Sequence, residues 1–228
     1  MTNQEFSNEF DILYNNIASN QAPGLDEYEK SVFLTTAQEG LVLEIVSGNN
    51  TLGNSFEKTE EVRRYLNDIV KTTEMTKYEG SDIIKLTSKS TLYNVPEDLW
   101  CTTYETVKFE DDNLQCVPYE NIEVVPVTQD EFSRIIKNPF RKPSANRVLR
   151  LDVDGKIELV SNYNIQSYIV RYIKRLDPII LVDLPDGLTI RGESTETICK
   201  LNPALHEAIL GRAVQLAKSS MGLIESGR

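Results

Sequence analysis

His206 is the only histidine in 228 residues, so any nucleophile relayed through an imidazole would have to use it. It stands beside Glu207, early in a C-terminal helical stretch, with no Ser or Cys in a nucleophile motif, and it reads as a surface or core histidine. Cys101, Cys116 and Cys199 are odd in number and lack a C-x-x-C spacing, so they read as free thiols of a reducing compartment. One histidine and three scattered cysteines do not make a zinc site. Asp152 and Asp154 precede Gly155 as in a calcium loop, yet the further ligands and the terminal Glu are missing. The chain has no P-loop and no G-x-G-x-x-G, and the spacing of its many carboxylates singles out no general-acid pair. The residues therefore assign no catalytic group, no metal and no cofactor, and the expectation is a protein that is not an enzyme.

One stretch stands apart in charge. In "NIQSYIVRYIKRLDPIILVDLP", Asn164 to Pro185, Arg171, Lys174 and Arg175 fall within five residues among Tyr168, Ile169, Val170, Tyr172 and Ile173. The chain as a whole has 35 acids against 24 bases, a net charge of −11. Phosphate neutralisation needs clustered Lys and Arg, and beyond this strip only Arg141 and Lys142 lie together, so nucleic-acid wrapping is disfavoured. Alternation places Ile169, Arg171, Ile173 and Arg175 on one face of a strand and Tyr168, Val170, Tyr172 and Lys174 on the other. Neither face is purely apolar, and long basic side chains can pass their stems over apolar bodies into water. The strip reads first as a structural strand and second as a docking strand, with Tyr168, Arg171, Tyr172, Lys174 and Arg175 as candidate contacts.

The composition, 40% hydrophobic and 26% charged, is that of a globular domain with material for a core. No run approaches the ~18 apolar residues of a membrane span, and the acidic N-terminus lacks the basic region of a signal peptide. No membrane association is expected.

The elements that must hold these residues follow from period and caps. Thr2 and Glu5 form a capping box ahead of Phe6, Phe10, Leu13, Tyr14 and Ile17 at helical spacing. Asp26 caps a second helix with Val32, Phe33, Ala37, Leu41 and Ile45 inward. "KTEEVRRYLNDIVKT" reads as a third, with Val62, Leu66, Ile69 and Val70 inward. After Gly80, "DIIKLT", "STLYNV", "LWCTTYETVKF" and "NIEVVPV" are short β-type runs, in which Trp100 and Tyr104 read first as core and second as interface anchors. Thr128 and Glu131 box a short helix with Phe132, Ile135 and Ile136 inward. "VLRLDVDGKIELV" is a hairpin; a three-residue loop Val153-Asp154-Gly155 would pair Arg150 with Glu158 and Leu151 with Ile157, and it is the preferred register. A two-residue Asp-Gly turn would instead set Leu151 against Glu158. Asn202 and Pro203 open a final helix with Leu205, Ile209, Ala213, Leu216 and Ala217 inward and Gly222 at its end. The expected fold is α+β: an N-terminal helical bundle with the C-terminal helix packed on it, and a β-rich middle of short antiparallel strands. The parts are 1–75 helical, 80–200 β-rich with a helix at 128–137, and 203–221 helical, together one composite domain, 1–228.

"VTQDEFSRIIKNPFRKP", "SYIVRYIKRLDPIILVDL" and "ALHEAILGRAVQLAKSSMG", in that order after "APGLDEYEKSVFL", resemble the head–tail connector or ring proteins of crAss-like tailed bacteriophages, similar in role to portal adaptors. The likeness runs from Thr2 to about Met221 and consists of structural motifs. It implies a virion protein, made in the host cytoplasm, that forms a closed ring, usually of twelve copies, beneath the phage portal protein. Such a ring extends the DNA channel, lets the genome pass without specific binding, and docks adjacent tail or ring proteins. The rival classes are a virion-associated nuclease or hydrolase and a scaffolding or regulatory protein absent from the particle.

Overall fold

Reciprocal capping bonds start the first two helices. In the computed structural model, which describes residues 1–15, 24–48, 60–80, 82–110 and 120–220, Glu5 N–H donates to Thr2 Oγ1 (3.2 Å) and Thr2 N–H to Glu5 Oε2 (2.8 Å) at the head of α1 (Asn3–Asn15). Asp26 and Glu29 repeat the box at α2 (Glu27–Ser47), which ends on Gly48 in the left-handed region, φ 77°. Ile17, the loop at 49–55, the side chain of Val62, Cys116 and Gly222 lie outside the described residues. The chain divides into two compact units, Met1–Ile69 with Leu176–Arg228, and Val70–Arg175.

In the first unit, Phe6, Phe10 and Tyr14 of α1 are buried. The C-terminal helix α5 (His206–Ser220), reached through a 3-10 turn capped by Asn202, packs against both α1 and α2. Leu210 and Val214 join its buried stripe, and Leu13 of α1 is exposed. The inner face of α2 is rotated from the expected one: Ser31, Leu34, Thr35, Gln38 and Val42 are buried, while Val32, Phe33 and Leu41 are only partly so. The polar residues go inward because the irregular segment 177–181 needs hydrogen-bond partners. Leu181 N–H donates to Ser31 Oγ (3.0 Å), Ile179 N–H to Thr35 Oγ1 (3.0 Å), and Gln38 Nε2 to the Asp177 carbonyl (3.0 Å).

The second unit overturns the expected fold class. Its core is one seven-stranded mixed sheet, in the order β1-β7-β3-β4-β5-β6-β2, curled into a half-barrel. The strands are β1 (Val70–Glu74), β2 (Ser90–Asn94), β3 (Leu99–Phe109), β4 (Ile122–Pro126), β5 (Arg147–Val153), β6 (Lys156–Val160) and β7 (Ile165–Lys174). They are not all short or all antiparallel: β3 has 11 residues, and β4 runs parallel to β5. No N-terminal bundle forms, because the expected third helix is a six-residue α3 (Glu60–Tyr65) followed by a 3-10 turn. The run from Val70 to Thr73, β-branched at all but Lys71, then enters β1, where Val70 pairs with Ile173 and Thr72 with Arg171. "DIIKLT" forms no strand, and Ile84 is 89% exposed.

The ends of the sheet are drawn together just past β1. Met75 N–H donates to the Tyr168 carbonyl on β7 (2.8 Å), and Tyr78 N–H to Leu92 on β2 (2.8 Å). Lys77 bridges to Tyr93, and its ammonium caps the Ile165 carbonyl at 2.8 Å. Inside lie Tyr93, Phe109, Ile157, Tyr168, Val170 and Tyr172. On the other face of the β5–β6 hairpin, Leu149, Leu151 and Val160 receive Phe132 and Ile135 of α4 (Gln129–Ile135). Thr128 makes no side-chain cap bond there: the Glu131 N–H donates to the Thr128 carbonyl (3.2 Å), and the Glu131 carboxylate pairs with Arg134 (2.5 Å).

The hairpin register is also corrected. Asp154 (φ 45°) and Gly155 (φ 70°) form a two-residue turn, so Leu151 faces Glu158 and Arg150 faces Leu159. Two left-handed residues give the turn a twist that matches its strands. Glu158, wholly buried as a result, accepts from Leu86 N–H (2.9 Å) and from the Ser90 hydroxyl. Those partners come from distant sequence, so the charge pairing expected across the hairpin does not decide its register.

Candidate assembly surface

The basic strip occupies β7, between β1 and β3. Tyr168 and Tyr172 are fully buried, so they hold the strand from within. Arg171 and Lys174 are half-buried and Arg175 is exposed. The alternation that sequence shows is therefore an inside–outside one: Tyr168, Val170 and Tyr172 face the core, while Ile169 and Arg171 face outward. The Arg171 carbonyl accepts from the Thr103 hydroxyl (3.0 Å), and Arg175 N–H donates to the Asp98 carbonyl (2.7 Å).

The fold adds two partners that local sequence did not single out. Lys71 on β1 pairs in register with Tyr172 and so lies on the Tyr172 face of the sheet, opposite to that of Arg171. Asp98 receives the Tyr172 hydroxyl at 2.8 Å and lies 3.4 Å from the Lys71 ammonium. The Tyr172 hydrogen bond, aided by Lys71, lowers the pKa of Asp98 below the usual carboxylate value. No sequence signal joins these residues, which only the sheet brings together.

Beside the strip the sheet is split. β3 pairs with β4 only at Thr106↔Glu123 and Val107↔Ile122, so among the described residues the same edge of Leu99–Glu105 has no strand partner. A cleft of about 890 Å³ opens there, with Trp100, Tyr104, Val124 and Ile157 among its walls. Trp100 and Tyr104, expected in the core, line this cleft, and Tyr104 is 52% exposed. Arg150 of β5 crosses the split to Glu105 of β3 in a nearly buried ion pair and also reaches Asp152 at 3.3 Å. Burial raises the pKa of Glu105 despite the opposing pull of Arg150.

The other chemistry-bearing residues do not converge. His206 is buried in the helical unit, where its Nε2 meets the Leu201 carbonyl (3.1 Å), its Nδ1 meets the Met1 amine (2.7 Å), and its ring tilts against Phe6. Desolvation lowers its pKa. Cys101 and Cys199 are free thiols in different units, and burial raises the pKa of both. Asp152 and Asp154 sit at the hairpin end, and among the described residues no group of three or more His, Cys, Asp or Glu is placed to hold a metal. No helix among those residues is long and apolar enough to cross a membrane.

What this arrangement offers is surface: a charged strand, an open strand edge and an aromatic cleft on a tightly bonded sheet, the equipment of an assembly protein. The chain belongs to the phage tail ring protein 3/4 family, whose family model matches residues 1–227. It is 51% identical over 220 residues to Ring protein 3 of Bacteroides phage crAss001, covering 95% of each chain. To Ring protein 4/5 of the same phage it is 36% identical over 230 residues, covering 96% of this chain and 93% of that one. It is a ring protein of crAss-like phages, a structural component of the virion.

Proposed function

We propose that copies of this chain close into a ring of twelve at the head–tail junction, below the portal protein. There the ring extends the channel for the genome and docks the next tail component. The observation that carries this reading is the 51% identity to Ring protein 3 along nearly the whole chain. The likeness to Ring protein 4/5 of that phage supports a neighbouring ring built from a related subunit. Closed rings use heterologous contacts, in which one patch meets a different patch on the next copy. The basic strip supplies one such patch: Arg171, Lys174 and Arg175 meet acidic groups of a neighbour, while Tyr168 and Tyr172 keep the strand in place. Subunits are made in the host cytoplasm and join the particle during assembly.

The ring acts on DNA passively, making and breaking no bond. A lumen rich in Lys and Arg would hold phosphates and retard ejection. A chain with net charge −11 more readily presents an acidic or neutral wall. A cryo-electron map of the intact tail tests the placement and the copy number. Isolated protein is expected to show no salt-sensitive duplex binding at micromolar concentration and no nuclease activity with magnesium or manganese. A monomeric component in the finished particle refutes the ring, and cleavage lost on mutating one carboxylate replaces it with an enzyme.

A further inference from the structure

The seven strands of the Val70–Arg175 unit form two ribbons. β1, β7 and β3 are joined by ladders, with β3 following β7 from Leu99 to Phe109. β4, β5, β6 and β2 are joined likewise. Backbone pairing joins the ribbons at two places. On one side residues 75–78 stitch them: Met75 N–H donates to the Tyr168 carbonyl (2.8 Å), Tyr78 N–H to that of Leu92 (2.8 Å), and Asn94 N–H to that of Thr76 (2.9 Å). On the other side, among the described residues, only Thr106↔Glu123 and Val107↔Ile122 pair. β4 ends at Pro126, which has no N–H to offer, and the chain leaves for α4. Leu99–Glu105 and the end of β5 then flank the cleft with no described strand between them.

The β3 side of the cleft is lightly held. No residue from Leu99 to Glu105 is fully buried. Its register on β7 shifts between Leu99 and Cys101 and again between Thr102 and Tyr104, and bulges of this kind disrupt a ladder and bend its strand. Across the cleft runs the ion pair of Glu105 with Arg150, its side chains 8% and 17% exposed. Arg150 Nε is buried there without a partner. Widening the cleft about the Thr106 and Val107 pairs breaks this ion pair and no ladder bond. Segments with few buried contacts are the ones that open ahead of the whole fold.

We propose that the cleft is a latched jaw: the first half of β3 and the β5–β6 hairpin end swing apart about Thr106 and Val107, and the Glu105–Arg150 pair holds them closed. Opening changes how much of the Trp100 and Tyr104 wall and of the β3 edge the subunit offers, with the rest of the sheet intact. The jaw belongs to the single subunit and does not rest on the ring. One test uses the full-length chain with Cys101, Cys116 and Cys199 changed to serine and spin labels at Tyr104→Cys and Asp152→Cys, exposed positions on the two sides of the cleft. Double electron–electron resonance is expected to show a main short distance and a minor longer one. The longer population is expected to rise roughly tenfold when Glu105→Gln removes the charge of the latch. A second test keeps the native cysteines and reads Trp100, the only tryptophan, which lines the cleft. Acrylamide quenching of its emission is expected to increase in Glu105→Gln and in Arg150→Met, while amides of the β5–β6 ladder stay protected from exchange. A distance distribution that Glu105→Gln leaves unchanged overturns the proposal, and so does unaltered quenching in both variants. Increased quenching with equal loss of protection along β5 and β6 means that the whole sheet loosens, and overturns it as well.

Discussion

The rings of Tyr93 and Tyr168 meet edge to face with centroids 5.1 Å apart at 67°, although their strands β2 and β7 lie near opposite ends of the sheet order. The contact measures how far the sheet curls, and it fills the centre of the half-barrel. The Tyr93 hydroxyl is buried without a hydrogen-bond partner, that of Tyr168 lies against the Glu105 carboxylate, and burial raises both pKa values. Replacing either tyrosine by Ala is expected to destabilise the protein by about 3–5 kcal/mol, as for other large aromatic truncations. Tyr93→Phe removes an unsatisfied hydroxyl and keeps the ring, so its unfolding midpoint in urea is expected to match or exceed that of wild type. A large loss in that variant would reveal a hydroxyl partner.

Glu105 and Arg150 hold the split edges of the sheet. Glu105→Ala leaves the nearly buried guanidinium only the exposed Asp152 carboxylate at 3.3 Å, with an expected loss of about 3 kcal/mol or less in chemical denaturation. The pH dependence has a definite sign. A carboxyl whose folded pKa is raised keeps its proton longer than the unfolded chain does, so its contribution to stability falls as pH rises from the ordinary value of 4.5 through the raised one. Any stability advantage of wild type over Glu105→Gln is therefore expected to shrink as pH rises through that window. A widening advantage would contradict the burial argument.

His206 should make the helical unit acid-sensitive. Its folded pKa is lowered, chiefly by burial, so the unfolded chain binds the proton more readily. Stability is retained above the ordinary value of 6.5 and lost as pH falls below it. His206→Gln is expected to flatten the slope of melting temperature between neutral and mildly acidic pH; an unchanged slope would assign it to other groups.

Gly155 occupies a left-handed position, φ 70°, with open space around it. Backbone strain alone therefore sets the effect of Gly155→Ala, about 1–2 kcal/mol. Asp154→Asn keeps the preferred turn chemistry and is expected to be neutral by thermal melting.

The basic strip is tested by charge reversal. Arg171→Glu is expected to reduce incorporation into particles far more than Lys85→Glu, an exposed change elsewhere on the same unit. Lys77 is no neutral control, because its ammonium caps the Ile165 carbonyl. Equal incorporation of the two variants would remove the strip from the interface.

The features legible along the chain are local or inherited. The Thr2–Glu5 box, the Asp26 and Asn202 caps and the runs that became β2 to β7 were legible because each depends on neighbours a few residues away. The family was legible because its structural motifs follow in order along nearly the whole chain. The tertiary structure decided the rest. It cut the expected third helix to Glu60–Tyr65 and drew its last residues into β1, because Val70–Glu74 gains a full ladder along β7 that a lone helix could not match. It chose the two-residue hairpin turn, burying Glu158 where Leu86 N–H and the Ser90 hydroxyl both reach one of its oxygens. It rotated α2 so that Ser31, Thr35 and Gln38 could hold the segment at 177–181. It sent Tyr168 and Tyr172 inward and left Tyr104 and Phe140 outside. Each of these choices is made by partners distant along the chain, the nearest of them 68 residues away, or by the side of the sheet a residue falls on, and periodicity along the chain carries neither.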